Sequence, residues 1–410
     1  MSTVTLFELL SERERRAQKR ASLIFEHGLP VITFTLNLAG AEKRSPLSDF
    51  VFRAGEKALR EKLGNPLHYA FFDSPAGLCS FFVYNEHAAV LKNICMVLED
   101  GEAGRLFDFD VTNEHGAALS RPEPRHCLLC GRPAAECARS REHPLEQVLA
   151  KANDIMLKFA AARLAAGAHA ALIRELDLTP KPGLVDKSNS GAHSDMDYSL
   201  FVKSAAALTP YFEHAVLMGA AGAGLPPLEA EGIAAEAAMF AATGGVNTHK
   251  GAIFLFMTLL CGIGAHFSGG GDPFSAAAAL AAEKSAAQST HGAAVRAKYA
   301  APGAVGEAAA GFPTAVFAAG LLAKGAPPLR VLFEIMARTE DTNVLFRGGV
   351  PALDFVHRSA ARALSLPDDF LPAESARLDG EFILRGISPG GCADILALAL
   401  FIAENFPPAP

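Results

Sequence analysis

The sequence predicts an N-terminal α/β (α+β) domain followed by an all-α helical domain. Three observations predict it. Runs of β-branched and aromatic residues with strand-like alternation stop at Val111. From Pro144 the composition shifts to alanine and leucine, in long segments of helical period. Those segments are broken by polar loops dense in glycine, proline and charge, the usual places for chemistry on a helical scaffold. A chain of 410 residues is expected to form two domains. The compositional shift puts their boundary near 144–155, giving domains 1–150 and 151–410.

In order, residues 6–25 read as a helix with Glu12, Arg13, Arg16 and Lys19 on its polar side. Residues 31–38, VITFTLNL, have strand composition, and the basic loop 40–46 opens a helix over 47–63. Strands are expected at 67–72 and 78–84 around the turn DSPAG, then a helix at 86–98 and a strand at 105–111. In the second domain the periodicity predicts helices at 153–176, 196–217, 229–243, 252–267, 274–289, 315–323, 328–338, 352–366 and 388–401. Asp195 is the expected cap of the second of these. The segments 299–313 and 340–349 read as loops, and the tail PPAP as disordered.

Half of the residues are apolar and a fifth are charged, a globular composition. The net charge of −7 offers no basic surface for nucleic acid. The amphipathic N-terminus has no secretory core, and the apolar run 252–267 reads as a buried helix rather than a membrane span. Seven cysteines without a signal peptide point to a reducing compartment. The expectation is a cytoplasmic protein with neither nucleic-acid nor membrane partners.

Four stretches carry chemistry. TPKPGLVDKSNSGAHSDMD, from Thr179 to Asp197, is highly polar, and its prolines forbid helix. GGVNTHKG, from Gly244 to Gly251, lacks P-loop spacing and a preceding strand, so a P-loop is rejected. It can still aim backbone N–H groups, His249 and Lys250 at an anion. In RLFDFDV, Asp108 and Asp110 lie two residues apart on a strand and so share a face, an arrangement suited to magnesium and phosphate; the alternative is a solvated edge-strand face. Cys127, Cys130, Cys137 and His143 have the donor types of a structural zinc site, the alternative being buried reduced thiols.

These stretches also carry a resemblance. TPKPGLVD-x-x-N-x-GAH-x-DMD, GVNTHKGAIF, GE-A-x-x-GFP, DTN-x-x-x-RGG and SPGG-x-AD together resemble the triphosphoribosyl-dephospho-CoA synthase family. That family builds the prosthetic-group precursor of citrate lyase, and a relative serves malonate decarboxylase. SER-x-RRA, TFTLNLAG-x-x-KRSPL, FDFDV and R-H-CL-x-C-x-x-x-A-x-x-C-x-R resemble the citrate lyase holo-acyl-carrier-protein synthases, which are phosphoribosyl-dephospho-CoA transferases. The pairing resembles a bifunctional fusion.

The resemblance implies two consecutive reactions. In the C-terminal domain, the 2′-hydroxyl of 3′-dephospho-CoA attacks the ribose of ATP and expels adenine. In the N-terminal domain, phosphoribosyl-dephospho-CoA passes to a serine of the citrate lyase acyl carrier protein and pyrophosphate leaves. On that basis Asp186, Asp195, Asp197 and Glu236 are the expected carboxylates for proton transfer and magnesium. Lys181, His249, Lys250 and Arg347 are expected on the triphosphate, and Asn189, His193 and Asn247 on ribose hydroxyls. The GE-A and DTN motifs add Glu307, Asp341 and Asn343 as ATP-site residues. In the first domain, Asp108 and Asp110 would hold magnesium, with Lys43, Arg44 and Arg105 on phosphate.

Two departures from the family patterns stand out. Val305 occupies a position where the resemblance implies arginine, leaving Arg296 or Lys298 to substitute. Ala41 and Arg44 stand where proline and asparagine are expected, which keeps the malonate decarboxylase carrier open as recipient. A catalytic C-terminal domain joined to a carrier-docking N-terminal half is the competing reading, and a conventional ATP-dependent kinase or phosphohydrolase is a third. The absence of P-loop and kinase motifs counts against the third.

Overall fold

The structure is a computed structural model that describes residues 4–101, 103–269, 271–286, 299 and 301–406. The chain divides into two compact units, 1–160 and 161–410. The division falls inside one long helix, Leu145–Asp177, later than the shift in composition.

Unit one is built on a four-stranded antiparallel sheet of order β2-β3-β1-β4, from β1 (Val31–Leu36), β2 (His68–Phe72), β3 (Cys79–Val83) and β4 (Phe107–Thr112). Antiparallel pairing makes this an α+β arrangement. The register sets Thr33 opposite Asp110 and Thr35 opposite Asp108, so all four side chains share one face. The intervening Phe34 and Phe109 take the other face, where they stack at 4.2 Å. Helix α2 (Pro46–Leu63) covers that aromatic face, with Phe52 stacked on Phe34 at 4.7 Å. Gly55 lets α2 approach this closely, because a Cβ there would lie 2.4 Å from the Phe34 ring. Helix α1 (Leu6–His27) packs through Leu23 against Val31, Cys79, Phe81 and Val83, which brings its basic face to the threonine–aspartate side. A Thr5–Glu8 capping box opens α1 and left-handed Gly28 closes it. Helix α3 (Ala88–Glu99) and the short helix α4 (Ala134–Ser140) complete the unit before α5, the helix Leu145–Asp177.

Among the described residues of unit two, every regular element is helical. Helices α6 (Tyr198–Ala220), α7 (Leu225–Thr243), α8 (Lys250–Gly269) and α9 (Pro273–Ala286) are followed by α10 (Gly303–Ala309), α11 (Pro313–Ala323), α12 (Pro328–Met336), α13 (Thr342–Leu364), α14 (Leu371–Arg385) and α15 (Gly390–Asn405). Phe256 on α8 links Phe212 at 5.4 Å and Phe401 at 5.6 Å, so α8 runs through the core. Backbone contact between α6 and α8 depends on missing side chains. A Cβ on Gly264 would sit 2.0 Å from the Val216 carbonyl oxygen, and one on Gly219 would sit 1.9 Å from that of Cys261. By length and composition α5 and α8 could each cross a membrane, but α8 has 72% of its apolar window buried inside the protein.

Several expectations are corrected. The supposed loop 340–349 is helical from Thr342, interrupted where Gly349 adopts a φ of 66°. The segment 299–313 contains α10, and α14 was not anticipated. Asp197, not Asp195, caps α6, accepting the Leu200 amide at 3.0 Å. Arg296, Lys298, the end of the predicted helix 274–289 and the PPAP tail lie outside the described residues.

Candidate functional site

Unit two encloses a cavity of about 1280 Å³, larger than the ~300–1,000 Å³ typical of a site for one small molecule. The two polar loops of the sequence meet there with the starts of α8, α13 and α15. Lys181, His193, Asp195, Glu236, Asn247 and His249 line it, as do Lys250, Glu307, Asp341, Asn343 and Arg347.

The expected charges are redistributed. Lys181 is 1% exposed and already paired with Glu175 at 2.5 Å, so its charge is not free for phosphate as the sequence implied. The buried His249 accepts or donates one bond to Ser204 at 2.7 Å, and burial, with Lys181 nearby, pushes its imidazole down to about 3. It is therefore neutral, which corrects the expectation of a cation there. Lys250 pairs with Glu236 at 2.7 Å across the cavity wall. Arg347 reaches the Ala192 carbonyl at 3.0 Å and His193 Nδ1 at 3.1 Å, while Ser388 holds the other ring nitrogen at 2.8 Å. Burial and then Arg347 lower the His193 pKa.

Three expected site residues hold the loop and do not line the cavity. Asp186, 2% exposed, accepts the amides of Lys181, Ser188 and Asn189 at 3.0, 2.6 and 3.2 Å. Asn189 donates to Asp379 at 2.8 Å, and Asp379 also accepts the Gly183 amide at 2.8 Å. Asp197 is the α6 cap described above. Glu307 lines the cavity but is bound by the Thr314 and Ala315 amides at 2.8 and 3.0 Å, capping α11.

The acids that the sequence did not single out are Glu175 and Asp394. With Asp341 they line the same cavity. Burial raises the carboxyl pKa of Glu175 and of Asp341, and burial with Glu175 and Asp341 pushes Asp394 well above the ordinary range. Asp341 caps α13 through the Asn343 amide at 2.8 Å and also takes the Cys392 amide at 2.9 Å. Asp394 approaches the start of α8 only because residue 251 is glycine; a Cβ there would lie 2.1 Å from its Oδ2. Asp394 closes the SPGG-x-AD motif, which was the available signal for it.

Unit one has a cavity of about 360 Å³ on the threonine–aspartate face of its sheet. Asp108 and Asp110 form one side, and Lys43 with Arg13, Arg16 and Arg20 of α1 forms the other. The three arginines occupy one helical stripe, a signal legible in SER-x-RRA-x-x-R but read structurally only as a polar face. Burial and Asp110 raise the Asp108 pKa, and burial and Arg13 lower that of Lys43. Thr33 is 6% exposed, lines this cavity and has no hydrogen-bond partner for its Oγ1 among the described residues. The other expected phosphate ligands are engaged elsewhere. Arg105 donates to the His126 carbonyl, and Arg44 pairs with Asp49 and Asp73.

Beside this sheet, Cys127, Cys130, Cys137 and His143 converge, their ligand atoms all within 4.8 Å of one another. The four residues could hold a metal ion.

The family model described as ATP:dephospho-CoA triphosphoribosyl transferase matches residues 161–406, and that described as apo-citrate lyase phosphoribosyl-dephospho-CoA transferase matches 4–159. The protein named CitXG of Haemophilus influenzae is 32% identical, covering 98% of this chain and 96% of its own length. The CitXG protein of Leuconostoc mesenteroides subsp. cremoris is 31% identical, over 98% of this chain and 97% of its own. A 2-(5''-triphosphoribosyl)-3'-dephosphocoenzyme-A synthase of Haemophilus ducreyi is 35% identical, over 67% of this chain and 98% of its own. Two family matches in tandem, each coinciding with one compact unit, and relatives aligned almost end to end show that the chain belongs to the CitXG family of fused transferases.

Proposed function

We propose that the chain makes and attaches the citrate lyase prosthetic group in two steps, the first in residues 161–410 and the second in 1–160. In the first, the 2′-hydroxyl oxygen of 3′-dephospho-CoA bonds to the anomeric carbon of ATP's ribose. The bond to adenine breaks, and the triphosphate stays attached. The hydroxyl gives up its proton and the departing adenine gains one. The observation that carries this reading is a set of acids of raised pKa, the buried Glu175 and Asp341 with the half-buried Asp394, in one cavity with room for two nucleotides.

Asp394 is assigned the proton transfer, because it lines the cavity and burial, with Glu175 and Asp341, raises its pKa and favours the protonated form that an acid donates. Lys250 and Arg347 are assigned to the triphosphate, and Asp195 and Glu236 to its accompanying magnesium. His193, Asn247, Asn343 and the neutral His249 orient hydroxyls. Incubation with ATP and dephospho-CoA will release free adenine, measured by chromatography. ADP or pyrophosphate formed without adenine would overturn the assignment.

In the second step, a carrier-protein serine oxygen attacks the phosphorus next to the ribose, the bond to pyrophosphate breaks, and the serine proton is released to pyrophosphate or solvent. Asp108 and Asp110 fit a magnesium ion, being paired oxygen donors facing a cavity that leaves the remaining positions to phosphate. A magnesium ion held there by Asp108 and Asp110 would supply positive charge for the departing pyrophosphate. Arg13, Arg16, Arg20 and Lys43 take the rest of that charge. Labelling the citrate lyase carrier and the malonate decarboxylase carrier side by side identifies the acceptor. We assign a structural zinc ion to the Cys127, Cys130, Cys137 and His143 group. The unbridged cysteines support a reducing, cytoplasmic setting for both steps.

A further inference from the structure

The cysteine–histidine group lies next to residues that touch the transferase carboxylates, and this adjacency gives it a task. Its geometry suits zinc. A tetrahedral centre with Zn–S of ~2.3 Å and Zn–N of ~2.0–2.1 Å holds its ligand atoms about 3.6–3.8 Å apart. Cys130 Sγ lies 3.5 Å from Cys137 Sγ and 3.4 Å from His143 Nε2. No disulfide joins the three thiols. The Leu129 amide approaches Cys127 Sγ at 3.5 Å and the Arg132 amide bonds Cys130, the outer contacts that orient thiolate ligands.

Cys127 and Cys130 sit on a tight hairpin, with Cys137 on α4 and His143 just beyond it. The Cys127 amide donates to the Arg132 carbonyl at 2.8 Å, and the Ala134 amide donates to the Arg125 carbonyl at 2.8 Å. Arg125, at the root of that hairpin, reaches into the transferase centre. Its guanidinium donates to the Phe107 carbonyl at 2.8 Å, pairs with buried Glu99 at 2.5 Å and lies 3.2 Å from Asp108. Glu99 in turn holds the Phe109 amide at 2.8 Å, between the two aspartates. Arg125 and Glu99 thus fix the strand that presents Asp108 and Asp110, and the hairpin fixes Arg125. Among the described residues, the 120s and 130s hold little other regular structure than the short α4. An ion is what would make such a segment rigid.

We propose that residues 127–143 form a zinc knuckle that positions Arg125 against Asp108, so that zinc occupancy governs carrier modification and leaves the adenine-releasing reaction untouched. The inference rests on reading unit one as the transferase. Arg125 is a positioning residue.

The test uses the full chain, supplied with triphosphoribosyl-dephospho-CoA and carrier protein to read transfer, and separately with ATP and dephospho-CoA to read adenine release. Elemental analysis is expected to find zinc equimolar with the chain, and cobalt replacing it should give the visible spectrum of a tetrahedral thiolate site. Cys130→Ser should lose the metal and lower transfer kcat by about 10–100-fold, with adenine release unchanged. Arg125→Ala should keep the zinc and reproduce the kcat loss at unchanged KM for the carrier, and Arg125→Lys should recover part of it. Absence of zinc overturns the site. Full kcat in zinc-free Cys130→Ser, or a loss confined to carrier KM in Arg125→Ala, overturns the positioning role. A zinc-loaded wild type that releases adenine yet labels no carrier overturns the transferase reading instead, and the metal site stands.

Discussion

The two cavities differ in their electrostatics. In unit one, two aspartates face three arginines and a lysine across a cavity on one side of a sheet. In unit two, Lys181 pairs with Glu175 and Lys250 with Glu236, and the distinguishing feature is a set of acids of raised pKa, in which Glu175 and Asp341 push Asp394 up further. The difference follows the chemistry. Phosphoryl transfer needs charge neutralised on a departing pyrophosphate and little else from the protein. Glycosyl transfer from ATP leaves the phosphates intact and needs protons moved at a carbon–oxygen bond, which suits carboxyl groups of raised pKa.

The sharpest way to break this contrast is to remove the proton carrier. Asp394→Ala should slow adenine release by about 10²–10⁴-fold, while carrier labelling from supplied triphosphoribosyl-dephospho-CoA proceeds normally; both rates are read by chromatography. The converse change acts on charge. Arg13→Ala with Arg20→Ala should lower transfer kcat/KM by roughly 10–100-fold and flatten its dependence on salt, seen in labelling assays across ionic strength. A smaller effect is expected from Gly251→Ala, whose Cβ would meet the Asp394 carboxylate at 2.1 Å. Displacing that group should reduce kcat for adenine release by about 10-fold with little change in unit one.

The smallest effect concerns stability. Asp394 has a folded pKa raised by burial, then by Glu175 and Asp341. Its protonated form is the one the fold favours, so its contribution is present below the unfolded carboxylate pKa and is lost as pH rises through the folded value. Asp394→Asn should therefore melt higher than wild type by a margin that widens from acid to alkaline pH, measured by thermal unfolding. A margin independent of pH would contradict a raised pKa at this position.

Much of the frame was legible before any coordinates. β1 to β4 follow the β-branched and aromatic runs, and the period-two rule alone put Asp108 and Asp110 on one face. What it did not say is that α1 covers that face and delivers Arg13, Arg16 and Arg20, because a helix's facing is chosen by Leu23 packing under the sheet. The first part of α13, up to Gly349, was read as a loop because it opens with polar residues and breaks at that glycine, whereas its remainder was expected as helix. The resemblance assigned Asp186 to catalysis and Asn189 to ribose hydroxyls, yet their bonds go to amides and to Asp379, which hold that loop. Glu175 was missed for the reverse reason. At the end of a long helix it resembles any surface glutamate, and only tertiary packing buries it.

The independence of the two centres is the central claim, and Asp108→Asn tests it most directly. With ATP, dephospho-CoA, magnesium and carrier protein all present, the variant should release adenine at the wild-type rate while carrier labelling falls by at least ~100-fold. Parallel loss of adenine release and labelling would contradict two separate centres.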